Sequence, residues 1–156
     1  DPHPGNFAFR TDGSVVAYDF GGIRSYSDSE VQLFRRFAKH ALKGDVTALE
    51  QDLIALDIRR DDDKVVPGEF YKEWLEIGLK PLSIEPYQQG PFDFGSSQTH
   101  HEAIAQMLTS LKYFGQFQPS ATTMMLDRTI SGQYWNLVNL GVGIDLSPLV
   151  AEYIDY

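Results

Sequence analysis

The chain has 156 residues, 42% hydrophobic and 13% aromatic, with a net charge of −9 and no cysteine. That length supports one buried core, while the acidity and the lack of any basic stretch exclude a general phosphate-tracking nucleic-acid binder. Disulfides, thiol catalysis and thiolate metal sites are excluded too, no apolar run nears the roughly 20 residues that span a bilayer, and cellular location stays open.

The first residues, DPHPGN, read as a loop from their prolines and glycine. FAFR and SVVAYDF then flank TDG, and the alternation of Phe7 and Phe9 with the Asp12-Gly13 turn predicts a short β-hairpin that leaves Asp19 at a strand end. Ser27 and Glu30 have the spacing of a capping box, and Val31, Phe34, Ala38 and Ala41 share the inner face of a helix that stops at Gly44. Asp45 caps the next helix, with Val46, Leu49, Leu53 and Leu56 inside. RRDDDK is a polar break, and Pro67 starts a helix with Phe70, Trp74 and Ile77 inward. KPLSIEPYQQGPFDFGSS reads as loop. Two longer helices follow, one burying Ile104, Met107, Leu108 and Leu111, the other Leu126, Ile130, Tyr134 and Leu137 before Gly141. Ser147-Pro148 opens a last short helix as N-cap and first turn. The expected fold is mainly α, of α+β type: a short β-hairpin on a helical bundle, with no internal repeat.

The opening segment carries the chemistry. Asn6 follows Asp1 by five residues, and Asp19 of a DFG tripeptide follows Asn6 by thirteen, with the hairpin between them. Phosphoryl transfer from ATP needs a carboxylate that orients or deprotonates the acceptor, and oxygen ligands that hold Mg²⁺ against the phosphates. Mg²⁺ is a hard cation that takes oxygens, and a loop Asp, an Asn five on and a DFG Asp after a hairpin are the groups kinases use.

DPHPGN followed by a hairpin and DFG resembles the catalytic core of the UbiB family of atypical kinases, also called AarF or ADCK, in which the loop reads Ala-Asp-Pro-His-Pro-Gly-Asn. LDRTISGQYWNLVNLGVGIDLSPLVAEY is similar to that family's C-terminal helices. The resemblance implies a protein-kinase-like C-terminal lobe: residues 1–22 as catalytic loop, hairpin and DFG, and residues 27–156 as its helical part. It implies Asp1 as the catalytic carboxylate, Asn6 and Asp19 as Mg²⁺ and nucleotide ligands, and ATP with Mg²⁺ as cofactors. It also implies a small-molecule or lipid substrate tied to ubiquinone or isoprenoid metabolism, and peripheral membrane contact. The lysine and glutamate that grip a nucleotide cannot be assigned here, nor can the family's Lys-x-Gly-Gln stretch or its Ala-rich loop. An N-lobe is therefore expected as a partner, and the isolated piece is expected to be inactive. From Gly21 to Ser27 there is no room for an activation loop and no Ala-Pro-Glu follows, which disfavours a protein substrate.

Other readings stand beside this one. Aminoglycoside or choline kinases also use an Asp-x-His-Pro-Gly-Asn loop, but here GIRSYSDSEVQLF follows the DFG, a departure from that pattern which, with Pro2 after Asp1, favours the UbiB-like reading. A pseudokinase-like binding module that holds nucleotide without transfer is the third. A second DFG, Asp93-Phe94-Gly95, follows a loop and lacks an Asn thirteen residues ahead, so it reads as structural. His3, between prolines, reads as a loop-fixing group rather than a base, and Gly5 as a close backbone approach. His100 and His101 are adjacent and make a poor metal pair on a helix. Asp61, Asp62 and Asp63 read as a solvated turn, and Trp74 and Trp135 as core. Phe92, Phe94, Tyr113, Phe114 and Phe117 would line an apolar groove if exposed.

Overall fold

The computed structural model describes residues 2–154. Strands β1 (Phe7–Phe9) and β2 (Val15–Ala17) pair antiparallel, with Phe7 opposite Ala17 and Phe9 opposite Val15. Gly13 closes the turn at φ 84°, a left-handed conformation that glycine takes without steric cost, while Asp12 Oδ1 accepts from the Ser14 N–H and hydroxyl. The expected capping box opens α1 (Asp28–Lys43): the Glu30 N–H donates to Ser27 Oγ at 3.3 Å, and the Ser27 N–H donates to Glu30 Oε2 at 2.8 Å. Gly44, left-handed at φ 65°, ends that helix, and Asp45 accepts from the Ala48 N–H to start α2 (Val46–Ala55). Helices α3 (Gly68–Leu79), α4 (Thr99–Ser110), α5 (Met124–Leu140) and α6 (Ser147–Ile154) follow, and a second small antiparallel sheet joins β3 (Phe92–Asp93) to β4 (Gly143–Ile144). The lobe is mainly helical and α+β, as the sequence predicts.

The core lies between α1, α2 and α3. Ala41, Leu49, Val66, Tyr71, Leu75 and Leu79 are buried together, with Phe70 stacked on Phe117 at a ring separation of 5.2 Å. Burying such side chains stabilises by about 1.5–3 kcal/mol each. Asp52 is buried on α2 and ties it to α1, accepting from Arg36 Nε and pairing with His40 Nδ1, both at 2.5 Å. Among the described residues no helix is long and apolar enough to cross a membrane.

Several expectations are corrected. On α3 the buried side chains are Tyr71, Leu75 and Leu79, one position on from the expected Phe70 and Trp74; these two and Ile77 are half-buried. Ile104, Met107 and Leu108 on α4, and Leu111 just beyond its end, are exposed rather than buried. The side of α4 that meets α3 is polar instead: Trp74 Nε1 donates to Ser110 Oγ at 3.3 Å, and Gln106 Nε2 donates to Glu73 Oε2. On α5, Ile130 and Trp135 are exposed, while Leu126, Tyr134 and Leu137 are half-buried. The break at RRDDDK is not merely solvated. Arg59 is buried there, donates to the Arg60 and Lys64 carbonyls and to Asp62, and so stitches the turn shut. Asp145 caps α6, accepting from the Ser147 N–H and hydroxyl at 2.9 and 2.6 Å, so the cap lies upstream of the expected Ser147.

Candidate functional site

The DPHPGN loop is organised by its own short-range bonds. His3 has extended φ and ψ, and its Nδ1 accepts from the Gly5 N–H at 3.1 Å, capping a tight 3-10 turn over Pro4–Asn6. The Asn6 N–H donates to the His3 carbonyl at 2.9 Å. A Cβ on Gly5 would lie 3.1 Å from His3 Nδ1, so glycine is what lets the turn close over the imidazole. His3 thus fixes the loop, as the sequence predicts.

The hairpin then returns the chain to its start. One rung beyond Phe7 and Ala17, the Tyr18 N–H donates to the Asn6 carbonyl at 2.8 Å. Asn6 and Asp19 therefore come to the same open end of the ladder, although thirteen residues separate them. Asn6 is half-buried and Asp19 exposed. Asp19 Oδ1 accepts from the Gly21 N–H at 2.7 Å, and a Cβ on Gly21 would stand 3.1 Å from that oxygen. Asp1, the expected catalytic carboxylate, lies outside the described residues.

The segment after DFG is held by Arg24, which donates to the Ala121 carbonyl and to Glu30 Oε1 and lies 4.9 Å from the Tyr26 ring centroid. One cation thus joins this segment to the capping box of α1 and to the approach to α5. The Ser27 N–H and hydroxyl hold the Glu30 carboxyl below the usual carboxylate range, with Arg24 adding to the effect.

The two DFG copies share the bond from the glycine N–H to the aspartate Oδ1 and differ in their other contacts. Phe20 is 69% exposed, whereas Phe94 is 1% exposed and packs edge-on against Phe92 and Tyr134. Asp93 spends both oxygens locally: Oδ1 accepts from the Gly95 and Ser96 N–H groups and Oδ2 from the Ser96 hydroxyl, which together hold its carboxyl below the usual range. The second copy is structural, as expected, but it is not in a loop: Phe92 and Asp93 form β3, and the Phe94 N–H donates to the Val142 carbonyl. Of the five aromatics expected to line an apolar groove, Phe114 and Phe117 line a cavity of about 590 Å³ with Phe70, Trp74 and Met107, and Phe92, Phe94 and Tyr113 do not. Phe92 and Phe94 are buried, Tyr113 and Phe117 pack on Phe70, and of the five only Phe114 is exposed.

His100 and His101, though adjacent on α4, lie with their rings against each other. Their ring centroids are 3.9 Å apart, His100 lies against Trp135, and His101 Nδ1 pairs with Gln98 Oε1. Among the described residues no group of three or more His, Cys, Asp or Glu assembles. Asn6 and Asp19 nevertheless supply the hard oxygen donors Mg²⁺ takes, and the missing Cβ of Gly21 keeps one flank of the Asp19 carboxylate clear.

Two residues near this loop escaped sequence reasoning. Gly132 and Asn136 on α5 both touch Pro2: the Asn136 Nδ2 donates to the Pro2 carbonyl at 2.7 Å, and Gly132 offers the Pro2 ring a bare backbone. A glycine inside an apolar helical run was the available signal. A cleft of about 360 Å³ opens beside them, floored by Phe7, Phe9, Val15, Leu137 and Leu140 and edged by Gln133, Asn136 and Asn139.

A mainly helical α+β lobe that presents an Asn loop and a DFG aspartate at one end of a hairpin is kinase-like. Residues 1–53 match the ABC1 atypical kinase-like domain. The match takes in the loop, the hairpin and α1 and ends within α2; α3 to α6 lie beyond it. No curated protein matches the chain.

Proposed function

We propose that this chain is the C-terminal lobe of an atypical kinase or ATPase, in which Asn6 and Asp19 hold the Mg²⁺ of ATP and Asp1 orients or deprotonates the acceptor. The observation that carries the reading is the hairpin register, which returns Asp19 to Asn6 inside the segment matched to the ABC1 domain. Bound Mg²⁺ would neutralise phosphate charge, the effect that dominates phosphoryl transfer. The protein's share is to hold two oxygen donors on a rigid ladder and to keep Gly21 small beside one of them. The lysine and glutamate that grip the nucleotide come, in this reading, from an N-lobe. The acceptor is a small molecule or lipid of the ubiquinone or isoprenoid class, met at a membrane surface. That part rests on the family resemblance.

The test is Mg²⁺-dependent ATP turnover by the intact protein. Asp19→Asn and Asn6→Ala are each expected to lower it by about 10²-fold, the usual loss for a charge-stabilising group. Turnover unchanged in both variants overturns the assignment.

A further inference from the structure

Pro2 is the residue bonded directly to Asp1, so whatever holds Pro2 constrains where the chain delivers that carboxylate. Proline has no N–H, and its carbonyl is its one hydrogen-bonding group. That carbonyl is taken by Asn136 Nδ2 at 2.7 Å, and the same amide also donates to Gln133 Oε1 at 3.2 Å. One turn earlier on the same helical face stands Gly132, where a built Cβ would fall 2.0 Å from Pro2 Cγ and 2.7 Å from Pro2 Cβ. Even alanine cannot be fitted without moving the loop or the helix. The i, i+4 pair is a seat: glycine admits the ring and the amide latches the carbonyl.

We propose that Gly132 and Asn136 are positioning residues for phosphoryl transfer, setting through Pro2 the register of the DPHPGN loop and hence of Asp1. This rests on the functional reading above. Both residues lie beyond the segment matched to the ABC1 domain. The hairpin ladder joins Asn6 to Tyr18, the residue just before Asp19, so loosening the seat leaves the two proposed metal ligands in place and disturbs the carboxylate end of the loop. The expected signature is a loss in kcat with little change in the KM for Mg·ATP. Misplacements of about 1 Å cost on the order of 10²-fold.

The experiment uses the intact protein. Asn136→Asp keeps the side-chain shape but turns an oxygen toward the Pro2 carbonyl. Its kcat is expected to fall about 10–100-fold at near-constant ATP KM, with faster hydrogen exchange in the peptide spanning residues 1–9 and unchanged exchange along α1. Gly132→Ala is expected to do the same, and Pro2→Gly in that background, by removing the ring, to restore part of the lost rate. A wild type without Mg²⁺-dependent turnover overturns the functional reading and the catalytic role with it. An active wild type, lost activity in Asp19→Asn and unaltered kcat and exchange in Asn136→Asp overturn this inference alone. Should Gly132→Ala fail to fold, Asn136→Asp, which adds no volume, decides.

Discussion

Gly95→Ala and Gly21→Ala make the same change in the two DFG tripeptides, and the structure predicts opposite consequences. A Cβ on Gly95 would lie 2.9 Å from Gly141 Cα and 3.2 and 3.3 Å from the carbonyl carbon and oxygen of that residue. Those atoms cannot rotate away. Gly141 ends α5 at φ 62° with its N–H donating to the Val138 carbonyl, and the Phe94 N–H donates to the Val142 carbonyl, so backbone is pinned on both sides. Forcing an extra methyl into such a contact costs about 1–3 kcal/mol. For a chain of this size each kcal/mol moves Tm by roughly 2–4 °C, so a fall of about 2–12 °C is expected. On Gly21 the nearest atom is an exposed carboxylate oxygen 3.1 Å away, which turns aside, and stability should stay within about 0.5 kcal/mol of wild type. Thermal and urea unfolding followed by circular dichroism compare the two directly. A wild-type midpoint for Gly95→Ala, or a larger loss for Gly21→Ala, would refute the reasoning.

The aromatic residues of the same tripeptides should separate in the same way: Phe94→Ala is expected to cost about 3–5 kcal/mol and Phe20→Ala within about 0.5, read from urea midpoints. Asp52→Ala removes the acceptor shared by Arg36 and His40, and a loss of about 3 kcal/mol is expected, at the low end for a broken buried pair because the Arg36 side chain is half exposed. Burial raises the Tyr71 phenol above its usual pKa near 10, and its bond to Glu50 adds to the rise. The folded state then keeps a proton that the unfolded chain has lost. The stabilisation is full below the unfolded pKa of about 10 and is lost as pH rises above it. Unfolding measured across alkaline pH should show this decline, and Tyr71→Phe should remove Tyr71's share of it.

Local chemistry was legible where a single side chain answers a single backbone need. Ser27 with Glu30, Asp45, Gly44 and the Asp12-Gly13 turn all act where their spacing places them, because caps and turns depend on neighbours three or four residues away. The hairpin between the DPHPGN loop and the DFG was legible for the same reason, since its strands and turn are contiguous. What sequence could not show was which apolar stripe finds a partner. Ile104, Met107, Leu108 and Leu111 have the period of a buried helical face, yet α4 meets α3 through Ser110 and Gln106 and leaves that stripe uncovered. Periodicity fixes the existence of a face and is silent on what lies opposite. Strand β3 was missed for a related reason: its two residues gain strand geometry only from pairing with β4, fifty positions away. Arg59, read as part of a polar break, is buried because three acceptors in its own turn converge on it.

The contact between Pro2 and Asn136 joins points 134 positions apart, so it closes a ring of almost the whole described chain. Such distant pairings are slow to form, since chain entropy must be surrendered before they return anything. During synthesis the hairpin emerges early, but its neighbouring loop has nowhere to rest until α5 has left the ribosome and docked. The DPHPGN end of this lobe is therefore among the last parts to settle, and a nascent chain halted before Gly132 would carry the motif without its support.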